Sequence, residues 1–307
     1  MSWSTALRAG TAAMGVAWAV AAPGPAAADA AGSPTLERIA ATATISLGHR
    51  ESSVPFSYYD EKHQVVGYSH ELALRVAEAV RQSLRLPALT IRLVPVTSHN
   101  RMPLVINGTV DLECGSTTHT IEREAQVAFS HSIFIVSTRL LVAADSGIRD
   151  FPDLAGKTVV VTAGTQAERL LRRWIEQQSA GVHVLAGKDH GDSFRLLASG
   201  RAAAFMMDDA LLYGERAKAR RPADWQVVGT PMSYEAYACM LRAGDPAFKR
   251  VVDDALARVM RSGEARRLHE RWFRQPIPPR GVNLDWPLSD ALAALYREPN
   301  DRPAERP

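Results

Sequence analysis

The chain has 307 residues, 46% of them hydrophobic, 7% aromatic and 22% charged. That supports a substantial core and leaves room for more than one folding unit. The formal net charge is +3, with both signs interleaved along the chain, so nothing points to nucleic acid, and the small excess suits anionic small ligands.

The first thirty or so residues read as an export signal. Arg8 supplies the positive start, Thr11 to Ala22 a short apolar run, and Pro23, Gly24 and Pro25 break it. Ala26-Ala27-Ala28 before Asp29 offers a cleavage site, and cleavage after Ala30 fits almost as well. The run is short and Ala-rich for a membrane anchor, and no cysteine stands near it for lipid attachment. The mature protein is therefore expected to lie free in the periplasm.

An Ala/Gly/Pro/Ser tether follows, then a strand at Thr44–Leu47. Leu72, Val76, Val80 and Leu84, four residues apart, mark a helix ended by Pro87. Alternating Ile91 and Leu93 give a strand over 90–94, and Met102–Asn107 a short helix stopped by Gly108. Val110–Glu113 reads as a buried strand. This β-α-β-α-β order implies right-handed crossovers and a mostly parallel sheet.

A second unit opens with a strand at Arg139–Ala143. Strands at 158–161, 183–185, 202–206 and 225–228 then alternate with helices at 168–178 and 192–199 and one through Tyr213. Asp192 is expected to cap its helix. Strand Ala236–Arg242 leads to helix Pro246–Arg261, with Asp245 as cap, Pro246 in first position, and an apolar face of Phe248, Val251, Val252, Leu256 and Val259. A shorter helix runs to Phe273, and a proline-rich tail starts at Pro276.

Two cysteines, Cys114 and Cys239, make an even pair. In an oxidising compartment they suggest one disulfide, with two buried thiols as the alternative. The serines carry no G-x-S-x-G elbow, no Walker loop is present, and the histidines show no metal-ligand spacing. These patterns give no support to nucleophilic, ATP-hydrolysing or metal chemistry, and no cofactor is expected.

Arg50 stands just past the first strand in Gly48-His49-Arg50-Glu51-Ser52-Ser53-Val54-Pro55-Phe56-Ser57-Tyr58-Tyr59-Asp60. A guanidinium at a strand end, beside hydroxyls, suits capture of a carboxylate. With 96–101 (VTSHNR), 113–118 (ECGSTT), 186–195 (AGKDHGDSFR), 204–212 (AFMMDDALL) and 298–301 (EPND) in the same order, this segment closely resembles the glutamate/aspartate-binding proteins of bacterial ABC importers, in solute-binding protein family 3. The resemblance spans roughly Thr35 to Pro303.

The resemblance implies an α/β fold of the periplasmic-binding-protein-like type II class, two lobes hinged around a cleft. Residues 1–30 would be the cleaved signal, 35–133 and 232–307 the first lobe, and 134–231 the second. Hinges would fall near 132–138 and 230–234. It implies a monomer that takes L-glutamate or L-aspartate and docks on a permease with its ATPase. In the ligand set so implied, Arg123 pairs with the α-carboxylate, assisted by Ser116 and Thr118, and Asp208 with the α-ammonium, while Asp209 caps a helix. Arg50 and Arg101, with Ser98 and His190, surround the side-chain carboxylate, which would favour protonation of His190. Thr165 adds a contact from the second lobe. Three arginines and one aspartate sum to two positive charges, favouring an anionic ligand. The chain departs from the pattern at Gln166, where relatives commonly carry Thr or Ser. A sensor subunit with the same fold, and a dehydratase-type enzyme, are the alternative functions.

Overall fold

The computed structural model describes residues 32–179 and 181–303. The signal peptide expected at 1–30 lies outside them. The elements are α1 (Pro34–Thr42), β1 (Thr44–His49), β2 (Ser52–Ser53), β3 (Ser57–Tyr59), β4 (Val65–Val66), α2 (Tyr68–Ser83), β5 (Thr90–Pro95), α3 (Arg101–Ile106), β6 (Leu112–Glu113), α4 (Ile121–Glu124) and β7 (Val127–Ala143). They continue as β8 (Thr158–Thr162), α5 (Gln166–Gln178), β9 (His183–Gly187), α6 (His190–Ala198), β10 (Ala204–Asp208), α7 (Asp209–Lys218), β11 (Trp225–Val228), β12 (Tyr234–Arg242), α8 (Pro246–Arg261), α9 (Glu264–His269) and α10 (Asp290–Arg297).

The strands run β5-β1-β6-β12-β7-β10-β8-β9, with β11 added to β7. β1 is parallel to β5 and β6, and β8 is parallel to β9 and β10. These parallel sets are the cores of two lobes. They meet through β7, which pairs antiparallel with β12 from Val127 to Ser137 and with β10 from Thr138 to Val142. The change of partner at Ser137–Thr138 makes β7 one crossing between lobes. The return crossing enters β12 through Ser233, where the Thr138 N–H donates to the Ser233 carbonyl at 3.2 Å and the Met232 N–H to the Thr138 carbonyl at 3.0 Å.

Two differences from the sequence reading concern strands. The expected start at Arg139 is the far end of the longer β7. Ser130, Ser132, Ser137 and Thr138 are buried in it beside apolar residues, so no polar–apolar alternation marks it. β10 extends to Asp208, past the expected end, because the sheet buries both Met207 and that acid.

The helices differ for reasons of capping. The tether holds α1, whose cap Ser33 accepts from the Leu36 N–H at 3.1 Å with Pro34 in first position. The tail holds α10, capped by Ser289 and anchored by buried Leu292, Leu295 and Tyr296. Asp192 does not cap α6. Asp189 does, accepting from the Asp192 N–H at 2.8 Å, while the Asp192 carboxylate reaches back to the Lys188 N–H at 3.0 Å. The reciprocal pair satisfies two otherwise free amides. α7 runs on to Lys218, beyond Tyr213. Asp245 and Pro246 start α8 as expected, with the Phe248 N–H on the Asp245 carboxylate at 3.1 Å.

Two devices stiffen the first lobe. Phe56 meets Phe134, Tyr237 and Phe273 edge-on at ring-centre separations of 5.0, 5.2 and 5.7 Å; such contacts each contribute about 0.5–1.5 kcal/mol beyond area burial. This cluster anchors the loop that carries Arg50. The second device is the Cys114–Cys239 disulfide, which closes 125 residues of sequence and joins the end of β6 to β12. The double variant Cys114→Ser/Cys239→Ser is expected to lose about 2–4 kcal/mol of stability. Urea unfolding would show the midpoint falling to that of the reduced wild type; an unchanged midpoint would mean the bridge contributes nothing.

Candidate functional site

Arg50, Arg101 and Arg123 are only 2%, 2% and 5% exposed. Arg50 leaves the end of β1, where its N–H donates to Ser57 Oγ at 2.9 Å. Its guanidinium donates to Ser98 Oγ at 2.9 Å and to Ser116 Oγ at 3.4 Å. Arg101 begins α3 and donates through Nη1 to the Ser116 carbonyl at 3.0 Å and to Thr117 Oγ1. Thr117 Oγ1 in turn donates to Glu113 Oε2 at 2.6 Å. Arg123 sits in the short helix capped by Thr120 and donates to the Thr118 carbonyl at 2.7 Å. Its other nitrogen reaches the Gly164 carbonyl of the second lobe at 3.4 Å. Among the described residues none of these three arginines forms an ion pair with a carboxylate.

The second lobe supplies Thr165, His190 and Asp208, all buried. The Thr165 hydroxyl is committed to its own helix: it donates to the Thr162 carbonyl at 2.7 Å and accepts the Glu168 N–H at 3.2 Å. His190 starts α6, with Nδ1 at 2.9 Å from Thr162 Oγ1 and Nε2 buried without a hydrogen-bond partner among the described residues. Asp208 ends β10, accepting from the Tyr237 hydroxyl, with its Oδ1 at 3.4 Å from Thr138 Oγ1. Asp209 is not the cap of α7 but its first residue. Its carboxylate accepts from the Ser137 N–H at 3.1 Å and the Ser137 hydroxyl, tying α7 to β7.

Electrostatics follow from burial. Burial, then the neighbouring Arg101, brings Arg50 down to about 10. Burial, Arg101 and Arg169 bring Arg123 down to about 9. Both stay cationic at neutral pH. Burial, Arg50, Arg101 and Lys218 push His190 well below the usual imidazole range, so it is neutral in this structure. Burial and Glu235 push Asp208 well above the usual carboxylate range.

Sequence reasoning missed two buried acids, Glu113 and Glu235. Each stands at or beside the end of its strand, where a charged residue reads as solvated. Glu235 shares a face of β12 with Tyr237 and Cys239, two residues apart each time, and accepts from Thr118 Oγ1 at 2.6 Å. Thr138, Ser233 and Tyr237 were missed with it. Gln166 starts α5 with its side-chain Oε1 accepting from Arg169 Nε at 3.0 Å, and a cavity of about 440 Å³ has Gln166, Thr118 and Glu235 in its wall.

The lobes are in contact. A Cβ placed on Gly164, at φ +76°, would lie 2.8 Å from His99 Cα and 2.9 Å from the Ser98 carbonyl oxygen. The Gly191 N–H donates to Ser52 Oγ at 3.3 Å, and Arg169 pairs with Glu122 across the rim. The arrangement can enclose a small, doubly carboxylated solute and offer it a carboxyl group from the far side.

Residues 45–275 match the bacterial extracellular solute-binding proteins, family 3. The chain is 55% identical over 275 residues to a glutamate/aspartate import solute-binding protein of Salmonella typhimurium, covering 90% of this chain and 91% of that one. It is 55% identical over 273 residues to an L-glutamate/L-aspartate-binding protein of Pseudomonas aeruginosa, covering 89% and 90%. Holo ArgBP from T. maritima has a similar structure, with a TM-score of 0.66 at 26% identity over 77% of this chain and 98% of that one.

Gly164→Ala is expected to disfavour closure. The added methyl meets rigid backbone of the opposite lobe, and the left-handed conformation alone costs an ordinary residue about 1 kcal/mol. Small-angle X-ray scattering would show a larger radius of gyration than wild type under conditions where wild type is compact; identical curves would mean that the contact does not limit closure.

Proposed function

The chain belongs to the bacterial extracellular solute-binding proteins, family 3, and we propose that it captures L-glutamate or L-aspartate between its lobes and delivers it to an ABC-type importer. The fold is of the periplasmic-binding-protein type II class, and the close relatives are transport proteins, not enzymes.

The observation that carries the ligand assignment is the convergence of Arg50, Arg101 and Arg123, buried and cationic, with Asp208 facing them from the second lobe. Water-excluded charges must be paired. An acidic amino acid brings two carboxylates for the arginines and one ammonium for Asp208. In this reading Arg123, Ser116 and Thr118 take the α-carboxylate. Arg50, Arg101, Ser98 and His190 take the side-chain carboxylate, with a neutral His190 donating through Nε2. Thr165 contributes as the N-cap of α5, its hydroxyl already serving the helix.

Mechanically, residues 35–133 and 232–307 form the capturing lobe and 134–231 the one that closes. The loaded form then docks on the permease and its ATPase. The same reading has the chain exported through its N-terminal signal and working as a monomer in the periplasm.

Isothermal titration of ligand-stripped protein tests this. One-site binding of L-glutamate and L-aspartate is expected, with L-glutamine and a dicarboxylate lacking the amine far weaker. Arg123→Ala is expected to lose about 3–5 kcal/mol, because a ligand carboxylate is left buried without its partner. That is about two to four decades in affinity. Retained tight binding by Arg123→Ala would remove it from the site, and strong glutamine binding would misassign Arg50 and Arg101.

A further inference from the structure

Glu235 has no place in the ligand set above, yet it is 4% exposed, accepts from Thr118 Oγ1 and lines a cavity with Thr118. Its Oε1 lies 3.0 Å from Thr138 Oγ1 and 2.8 Å from Ser233 Oγ. Thr138 Oγ1 also lies 2.8 Å from Ser233 Oγ and 3.4 Å from Asp208 Oδ1. Thr138 and Ser233 own one hydroxyl hydrogen each. If both point at the Glu235 carboxylate, Thr138 Oγ1 can only accept from Asp208, and that contact needs a proton on Asp208 Oδ1. Asp208 Oδ2 already accepts from the Tyr237 hydroxyl.

Asp208 and Glu235 are both buried and both lie against the Thr138 hydroxyl, and two carboxyl groups that close out of water disfavour ionisation of both. The groups facing Asp208 are Glu235 and Tyr237 from β12, Asp209 from α7, Arg101 from α3 and Arg123 from α4. Burial and Glu235 both favour its neutral form.

We propose that Glu235 is a positioning residue that acts through Asp208: it keeps a proton on Asp208 in the ligand-free protein, and the arriving ammonium displaces that proton. The inference rests on the amino-acid-binding reading. The Asp208 O–H bond breaks, the proton leaves to water and buffer, and the freed carboxylate accepts from the ligand's N–H. Ligand-free Asp208 holds its proton to higher pH than liganded Asp208. Binding therefore releases a proton, and affinity falls as pH drops below the raised ligand-free value and is flat above it.

The test titrates L-glutamate into the mature protein in phosphate and in Tris, from about pH 5.5 to 7, where the ligand's carboxylates stay ionised. The heats are expected to differ between buffers in proportion to about one proton released per ligand, and the Kd to rise by up to about tenfold per pH unit on the acid side. Glu235→Gln keeps an acceptor for Thr118 but removes the charge; it is expected to reduce proton release and flatten the pH profile, with its melting curve confirming the fold. An infrared difference spectrum of wild type needs no variant and should show a protonated-carboxyl C=O band lost on adding glutamate. Tight glutamate binding with no buffer dependence and no lost band would overturn the proposal and leave the function standing. Unchanged proton release in folded Glu235→Gln would also overturn it, by placing the proton elsewhere. Absence of glutamate and aspartate binding would overturn the function and this proposal together.

Discussion

Burial of three guanidinium groups is the constraint on which the rest of the structure depends. A charge out of water is tolerated only when it is paired or richly hydrogen-bonded. The sequence meets that demand with hydroxyls and carbonyls concentrated in one segment: Ser116, Thr117 and Thr118 touch all three arginines through side chains or backbone. Gly115 is needed beside them. A Cβ there would lie 2.4 Å from Glu113 Oε1 and 2.9 Å from Arg50 Cγ. Glu113, held through Thr117, gives the arginine cluster a fixed counter-charge that no solute has to supply.

Such an arrangement works only on a rigid base. The disulfide fixes the start of the 115–118 segment to β12, and the Phe56 cluster fixes the Arg50 loop to β7, β12 and the helical layer around Phe273. The second lobe contributes differently. Its groups stand at element ends, with Thr165 and His190 opening helices and Asp208 closing a strand. Element ends project toward the facing lobe, and free helix N–H groups favour negative charge there.

Much of this was legible in the sequence. The α/β alternation, the Asp245–Pro246 helix start and the Arg50 loop each follow from local pattern. Arg50, Ser98, Arg101, Ser116, Thr118, His190 and Asp208 lie in short segments whose order identifies the family. What stayed hidden has one common cause. β7 was cut short because Ser130, Ser132, Ser137 and Thr138 look like surface residues, although the sheet buries them. Glu113 and Glu235 look like solvated strand ends and are counter-charges. Burial of a polar group is decided by partners far away in sequence: Thr118 and Glu235 are 117 residues apart, Thr138 and Glu235 97 apart. Periodicity within one strand carries no trace of such pairings. The same omission left the sequence-based charge count at two positive charges, with the two buried acids uncounted.

The crossings between lobes and the carboxyl groups at the site are made of the same residues. On β7, Ser137 bonds Asp209 and Thr138 contacts Asp208, with Ser233 and Glu235 on Thr138 in turn, while the backbones of these residues carry the chain from one lobe to the other. The proposed change in the charge of Asp208 would therefore act directly on these crossing strands. Direct contacts between the lobes include one arginine–carbonyl bond, one amide–hydroxyl bond, the Tyr237 hydroxyl on the Asp208 carboxyl and an exposed ion pair worth at most about 1 kcal/mol. The part of the equilibrium that a ligand can move rests on groups whose pairing differs between open and closed forms. A solute shifts that equilibrium only by its differential affinity for the closed form, and in the binding reading proposed above that difference arises at the three arginines and the Asp208 carboxyl.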